Sequence, residues 1–289
     1  MKNTMKKPVA IPVEKLRPFA GHPFKVKDDE EMNTLIESIQ TQGVLSPLIV
    51  RPIENTDEYE VVSGHRRLHA AQKAGITEVP ALIYALDRDA AAIAVVDSNL
   101  HREHILPSEK AFAYKLKMEA LNHQGKRTDL TSTQPVAKLR TGDIVGETLN
   151  ESRETVRRFI RLTHLIPELL DLMDEGKIAL MVGEALSFLG DEEQYAVLEQ
   201  CEINDCTPSY AQAVEMKKRY QNGKLSADMI CEILSREKAN QKETIKIPSA
   251  RLAGKIPSGY TLQQKEDFIV KAVDYYNKYR ARQRDRDSR

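Results

Sequence analysis

Apolar residues recur with two different periods along the 289-residue chain, and the change of period divides it. Over residues 9–85, short β-favouring runs alternate with helical patterns. Residues 9–13 read as an edge strand, because Pro12 cannot donate to a ladder. Met32, Leu35, Ile36 and Ile39 recur at helical spacing over residues 30–42, and Gly43 stands where a C-cap belongs. Residues 47–53 and 59–62 read as strands, and the turn composition of 54–57 predicts a hairpin between them. A helix over 66–74 is stopped by Gly75, and residues 79–84 supply a further strand. From Asp87 onward nearly every segment reads as helix: 87–100, then 108–123 opened by Pro107 with Phe112, Leu116 and Ala120 inward, then 141–238 with breaks at Asn150, Pro167, Gly190, Pro208 and Gly223. Residues 124–134 are polar and read as a loop or wing, and 242–259 as a linker. A last helix over 261–282 carries Phe268, Ile269, Ala272, Val273 and Tyr276 on one stripe, which could bury itself in a dimer.

This pattern predicts an α+β chain. A small mixed-sheet domain occupies 1–104, an all-α domain 105–238, and a linker with a C-terminal amphipathic helix 239–289. Composition adds little. Lys+Arg and Asp+Glu are both 43, so only the local distribution of charge can point to a polyanionic partner. Aromatics are 6% and tryptophan is absent, which fits a soluble, largely helical protein. Cys201, Cys206 and Cys231 have no histidines nearby at ligand spacing, so neither a disulfide framework nor a zinc site is expected. No apolar run approaches the ~20 residues of a membrane span, and the basic N-terminus lacks a signal-peptide core, so a cytoplasmic location is expected.

Two stretches carry candidate chemistry. In the first, the 59–62 strand runs through Ser63 and Gly64 into a helix headed by Arg66 and Arg67. Free N–H groups and the positive helix end point the same way there. Gly64 lets the backbone approach a ligand, and the arginines add forked donors, so the turn suits an anion. A solvated or structural arginine pair is the competing reading. In the second, a short helix over 142–149 and a turn at Asn150 and Glu151 lead into a helix capped by Ser152. Arg153, Arg157 and Arg161 share one side with Arg158 flanking, while Val156, Phe159 and Ile160 form the adjacent apolar face. With Ser152 and Thr155 at its head, this helix suits the major groove of DNA. The competing reading is an ordinary surface helix.

The order of three motifs carries a resemblance. Gly64, His65, Arg66 and Arg67 come first, Ser98, Asn99, Leu100, His101 and Arg102 second, and the helix-turn-helix third. Together they resemble the ParB family of chromosome and plasmid partition proteins, over roughly residues 9–189. The resemblance implies a sulfiredoxin-like nucleotide-binding domain that uses CTP and Mg²⁺. It also implies a homodimer that closes into a sliding clamp when CTP and a centromere-like double-stranded DNA site are bound. The nucleotide set it implies is Ser46, Ser63, Gly64, His65, Arg66, Arg67, Asn99, His101 and Arg102, with Asn99 helping to hold Mg²⁺.

The departures from the family pattern matter. His65 replaces a glutamate. Ser98 replaces the glutamate linked to CTP hydrolysis and cannot act as a carboxylate base, so a slow CTPase is expected and no catalytic residue is assigned. Met181, Val182 and Glu184 stand where relatives often carry glycine, histidine and arginine. The usual docking tail for a ParA-type Walker ATPase is not seen, and Lys2, Lys6 and Lys7 are what the N-terminus offers such a partner. Residues 278–289 hold six basic and two acidic residues and could add non-specific DNA affinity.

Other functions are weaker. Sulfiredoxin chemistry needs a nucleophilic cysteine where Gly64 stands, and no cysteine precedes Cys201. A small-molecule kinase would need a carboxylate such as Glu60, Asp97 or Glu103, and would leave the helix-turn-helix without a purpose. A transcriptional or nucleoid-occlusion regulator shares all the parts. His65, His69 and His101 suit a phosphate contact or a structural role equally. The expectation is a site-specific DNA-binding partition protein, nucleoid- or plasmid-associated, with no membrane partner.

Overall fold

A hairpin sits at the centre of the sheet. Strands β3 (Leu48–Pro52) and β4 (Tyr59–Ser63) pair antiparallel, as the turn between them predicts. Strand β5 (Glu78–Ile83) lies parallel to β3, and β1 (Val9–Pro12) closes that side antiparallel to β5. Strand β2 (Leu16–Pro18) runs parallel to β4 on the other side, giving the order β1-β5-β3-β4-β2. Both edges end in a proline, Pro12 or Pro18, which blunts them against further pairing. In this computed structural model the described residues are 7–100, 102, 104–129, 151–236, 252, 254–257 and 259–287. The chain divides into two compact units, Met1–Arg236 and Glu237–Arg289.

Alternation along the strands sorts the core into two faces. Leu48, Val50, Val61, Val79 and Ala81 pack with Met32 and Ile39 of α1 (Glu30–Gln42) and with Leu68, Ala70 and Ala71 of α2 (His65–Lys73). Val62 and Ile49, on the opposite face, meet Ala91, Ala92 and Val95 of α3 (Arg88–Asn99) and Ala120 of α4 (Pro107–Asp129). Helix α1 has the expected bounds, with Asp29 accepting from Met32 N–H and Gly43 donating to the Ile39 carbonyl.

Two expectations about α4 are corrected. Phe112, expected inward, is 41% exposed, while Ala111, Ala113, Tyr114, Lys117 and Ala120 are buried. The helix is packed on both sides, by α3 and by the helix over Arg153–Leu162, and Phe112 falls on the side that neither covers. Residues 124–129, expected as part of a loop, continue α4 to Asp129. Lys, Gln and Arg are good helix formers and outweigh the single Gly125. Residues 130–134 of that stretch, and the expected helix over 142–149 with Asn150, lie outside the described residues.

The rest of the first unit is helical: α5 (Arg153–Leu162), α6 (Pro167–Asp174), α7 (Leu180–Leu186), α8 (Asp191–Ile203), α9 (Tyr210–Gln221) and α10 (Ala227–Ser235). They share a core built on Leu162, Leu169, Leu186, Met216 and Ile230. Buried Gln194 stitches three segments together. Its oxygen accepts from Ile166 N–H, and its nitrogen donates to the His164 and Leu189 carbonyls. In the second unit α11 (Leu262–Asp287) forms as expected, and Val270, Val273, Tyr275, Tyr276 and Tyr279 are exposed on it. Among the described residues no helix is long and apolar enough to cross a membrane.

Candidate functional site

The turn between β4 and α2 has the geometry an anion needs. Gly64 is left-handed, with φ 104° and ψ 25°, and no side chain caps the helix behind it. The first N–H groups of α2 are therefore not taken by a capping oxygen, and the positive helix end stays available. A Cβ at position 64 would come within 3.1 Å of both Leu48 Cγ and Arg67 Nη2. Ser63 is the last residue of β4 and sets the approach to the turn.

The two arginines behind Gly64 do different things. Arg67 folds back and donates from Nη1 to the carbonyls of Ser46 (2.6 Å) and Pro47 (2.9 Å), bolting the loop before β3 to α2. Ser46 is thus brought to the turn through its backbone. Arg66 faces the head of α1, at 3.5 Å from Asp29 and 3.3 Å from Glu31. Arg102 lies over the Phe24 ring at 5.5 Å. Its affinity for a proton is lowered first by burial, raised by Glu109 and lowered again by the positive charge of Arg66, so the two guanidinium groups are near enough to repel each other. An anion placed there would relieve their repulsion.

His65 is turned inward. Its Nε2 accepts from Phe19 N–H at 3.3 Å, and its ring lies 3.7 Å from that of His22, centroid to centroid. Burial, then His22 and Arg102, pushes its pKa down to about 3, so the imidazole is neutral and cannot serve as a phosphate cation. His22 Nδ1 faces the Phe24 carbonyl at 2.8 Å and must be the donor, and burial lowers its pKa too. Glu60 secures the same loop, accepting from Ala20 N–H at 2.9 Å and from Arg51 Nε at 2.7 Å.

Asn99 closes α3 as a buried side chain whose Nδ2 donates to the Val95 carbonyl at 2.8 Å. Ser98 Oγ donates to that same carbonyl at 3.0 Å. Asn99 therefore offers a metal one neutral oxygen. Among the described residues no group of three or more His, Cys, Asp or Glu could hold an ion. These residues fit Mg²⁺ only in company with phosphate oxygens and water, which is how that ion is usually held. His101 lies outside the described residues.

The second candidate surface is α5. Ser152 caps it, accepting from Thr155 N–H at 3.1 Å while the two hydroxyls meet at 2.8 Å. Glu151, just before the cap, pairs with Lys110 of α4, whose ammonium sits 4.7 Å from the Phe159 ring centroid. Arg153 is exposed, and Arg157 is 67% exposed with Glu154 at 3.7 Å. The other two arginines face α7. Arg158 Nε lies 3.4 Å from Glu184, and Arg161 donates to the Ser187 carbonyl at 2.7 Å while lying 4.2 Å over the Phe188 ring. Between them opens a cleft of about 330 Å³ bordered by Glu154, Arg157, Arg158, Arg161, Glu184 and Phe188. Of the four arginines expected together, Arg153 is exposed, Arg157 is exposed at the rim of the cleft, and Arg158 and Arg161 line it more deeply.

Residues 1–100 match the family described as ParB N-terminal domain. The chain is 34% identical over 212 residues to the chromosome-partitioning protein Spo0J of Thermus thermophilus, covering 73% of this chain and 70% of that protein. The chain belongs to the ParB family. It is also 31% identical over 191 residues to a nucleoid occlusion protein of Geobacillus thermodenitrificans, covering 66% of this chain and 61% of that one. A solved structure of C-terminally truncated ParB from Caulobacter crescentus, complexed with CTP-gamma-S, is 28% identical. It covers 67% of this chain and 97% of its own, at a TM-score of 0.31, an overlap too low to equate the two folds.

In this ParB-family chain the carboxylates available to kinase chemistry are committed elsewhere. Glu60 is buried against Arg51, and Asp97 pairs at 2.6 Å with Lys117, a buried lysine of α4. Glu103 lies outside the described residues. His22, Lys110 and Lys117 were not singled out from sequence. Their only local signal is a charged or polar residue on an otherwise apolar face, as at Lys117.

Proposed function

We propose that this protein is a site-specific DNA-binding partition protein that acts as a CTP-gated homodimeric clamp on a centromere-like site. The observation that carries the reading is the uncapped, left-handed Gly64 turn with Arg66 and Arg67 behind it, in a chain of the ParB family. Residues 1–104 form the nucleotide-binding domain, 105–238 the DNA-binding domain, and 239–289 the linker and the dimerising helix. The triphosphate lies on the first N–H groups of α2. Arg66 leaves Asp29 and Glu31 to meet it, and Arg102 closes from the other side. Arg67 stays on Ser46 and Pro47 and holds the loop before β3 against the turn. Asn99 would help hold Mg²⁺, which would neutralise phosphate charge. Ser98 supplies no carboxylate to activate water, so the nucleotide acts as a latch and its turnover is slow. A ParA-type Walker ATPase is the partner proposed for movement of the complex, which is nucleoid- or plasmid-associated.

Nucleoid occlusion is the second reading, compatible with the relatives that bear that name. Titration calorimetry with CTP, with and without DNA, tests the main proposal. Binding that strengthens with DNA is expected, and no heat in either condition overturns the clamp. Mapping the bound sites in cells separates the two readings, since a single cluster is expected for partition and scattered sites for occlusion.

A further inference from the structure

Helix α7 is seated by a glycine. A Cβ at Gly183 would collide with the sulfur of Met173 and come within 3.4 Å of Leu162. The bare backbone lets α7 press against α5 and α6, and the next residue, Glu184, then faces the recognition side of α5. Its side chain is only 22% exposed, and its carboxylate stands 3.4 Å from Arg158 Nε. A half-buried acid is an odd lining for a cleft whose other charged groups are Arg157, Arg158, Arg161 and Glu154. It repels phosphate, and it removes net charge from a surface that should attract DNA.

Geometry gives the acid a purpose. Arg158 Nε is buried and makes no hydrogen bond, and the Glu184 carboxylate stands 3.4 Å from it, so the acid draws the guanidinium inward on that side by charge alone. No hydrogen bond to a described residue occupies the Nη1 and Nη2 pair. A guanidinium drawn inward on its Nε side leaves those two nitrogens for a ligand, and such a pair matches O6 and N7 of guanine. We propose that Glu184 is a specificity-determining positioning residue that aims Arg158 at one guanine in each half-site. It also disfavours docking of a phosphate in the same cleft. Arg161, already tied to Ser187 and Phe188, forms the wall of the cleft, and Arg157 supplies the outward contact.

This inference rests on the DNA-binding reading above, and one experiment separates the two. The full chain, with CTP, is used to select from a duplex library with a randomised centre, in parallel with Glu184→Gln and Arg158→Lys. The wild type is expected to enrich a two-fold symmetric site. Glu184→Gln keeps shape and removes charge. It should lose preference at one G·C pair per half-site by about tenfold or more, while binding random duplex more tightly. Arg158→Lys keeps charge and loses the fork, and should lose preference at that same pair. Thermal melting is followed in each variant, and Glu184→Ala takes the place of Glu184→Gln if the latter does not fold. A symmetric site that both variants read unchanged, or one whose altered pair differs between the variants, overturns the role of Glu184 and leaves DNA binding intact. No enriched site from the wild type overturns both readings.

Discussion

Helices α2 and α5 both begin with arginines, and they use them in opposite ways. Helix α2 starts at a left-handed glycine with no side-chain cap, so its backbone N–H groups remain available. Helix α5 starts at Ser152, whose hydroxyl already takes the Thr155 N–H. The arginines of α2 are held before any ligand arrives, Arg67 by two carbonyls and Arg66 by two acids. On α5, Arg157 is largely exposed and borders a cleft with Arg158 and Arg161. A compact anion is best gripped by backbone dipoles with restrained cations around them. A long groove is read by side chains that reach outward, for which the helix end can be closed.

Four measurements would break or sharpen that contrast. The largest effect is expected from Arg66→Ala, which should abolish CTP binding in calorimetry and leave single-site DNA affinity within about threefold, since only α2 is touched. CTP affinity retained by this variant would remove α2 from the nucleotide site.

The next concerns His65, at the head of the same helix. Its folded pKa, about 3, lies below its ordinary 6.5, so protons favour the unfolded chain. The stability it contributes is complete above the ordinary value and is lost as pH falls through that window. Urea titrations at pH 7 and pH 4 should differ by up to about 3 kcal/mol on this account. His65→Gln should flatten the dependence, and an equally steep profile in that variant would contradict the buried neutral imidazole.

Arg157→Ala should weaken site-specific DNA binding by roughly 1–3 kcal/mol at fixed salt without changing the melting temperature. Arg161→Ala should weaken it too and also lower the melting temperature, because the tether to Ser187 goes with it. An unchanged dissociation constant in both would take the DNA assignment away from α5. The smallest effect belongs to Ser152→Ala. It should cost about 1 kcal/mol in stability by leaving the Thr155 N–H without its cap, with CTP affinity unchanged.

Much of the local structure was legible before the fold. The bounds of α1, the hairpin of β3 and β4, Gly64 at a helix head and Ser152 as a cap all follow from periodicity and turn chemistry within a few residues of each other. Strand β2 was missed because three residues carry no period, and its pairing comes from β4, more than 40 residues away. The exposed Phe112 was misread because periodicity locates an apolar stripe and cannot say which neighbour covers it.

The sequence by itself therefore determined where helices and strands begin, that a glycine turn and two arginines stand together, and the order of motifs that marks the family. Only the tertiary structure decided what those charges face. Phe19 reaches His65, Glu60 takes Ala20, Lys117 meets Asp97, and Glu184 stands beside Arg158, each across 20 or more residues of chain. The physical reason is range. Backbone dihedrals and caps are set by near neighbours, whereas a side chain's electrostatic partner is set by which elements pack against it.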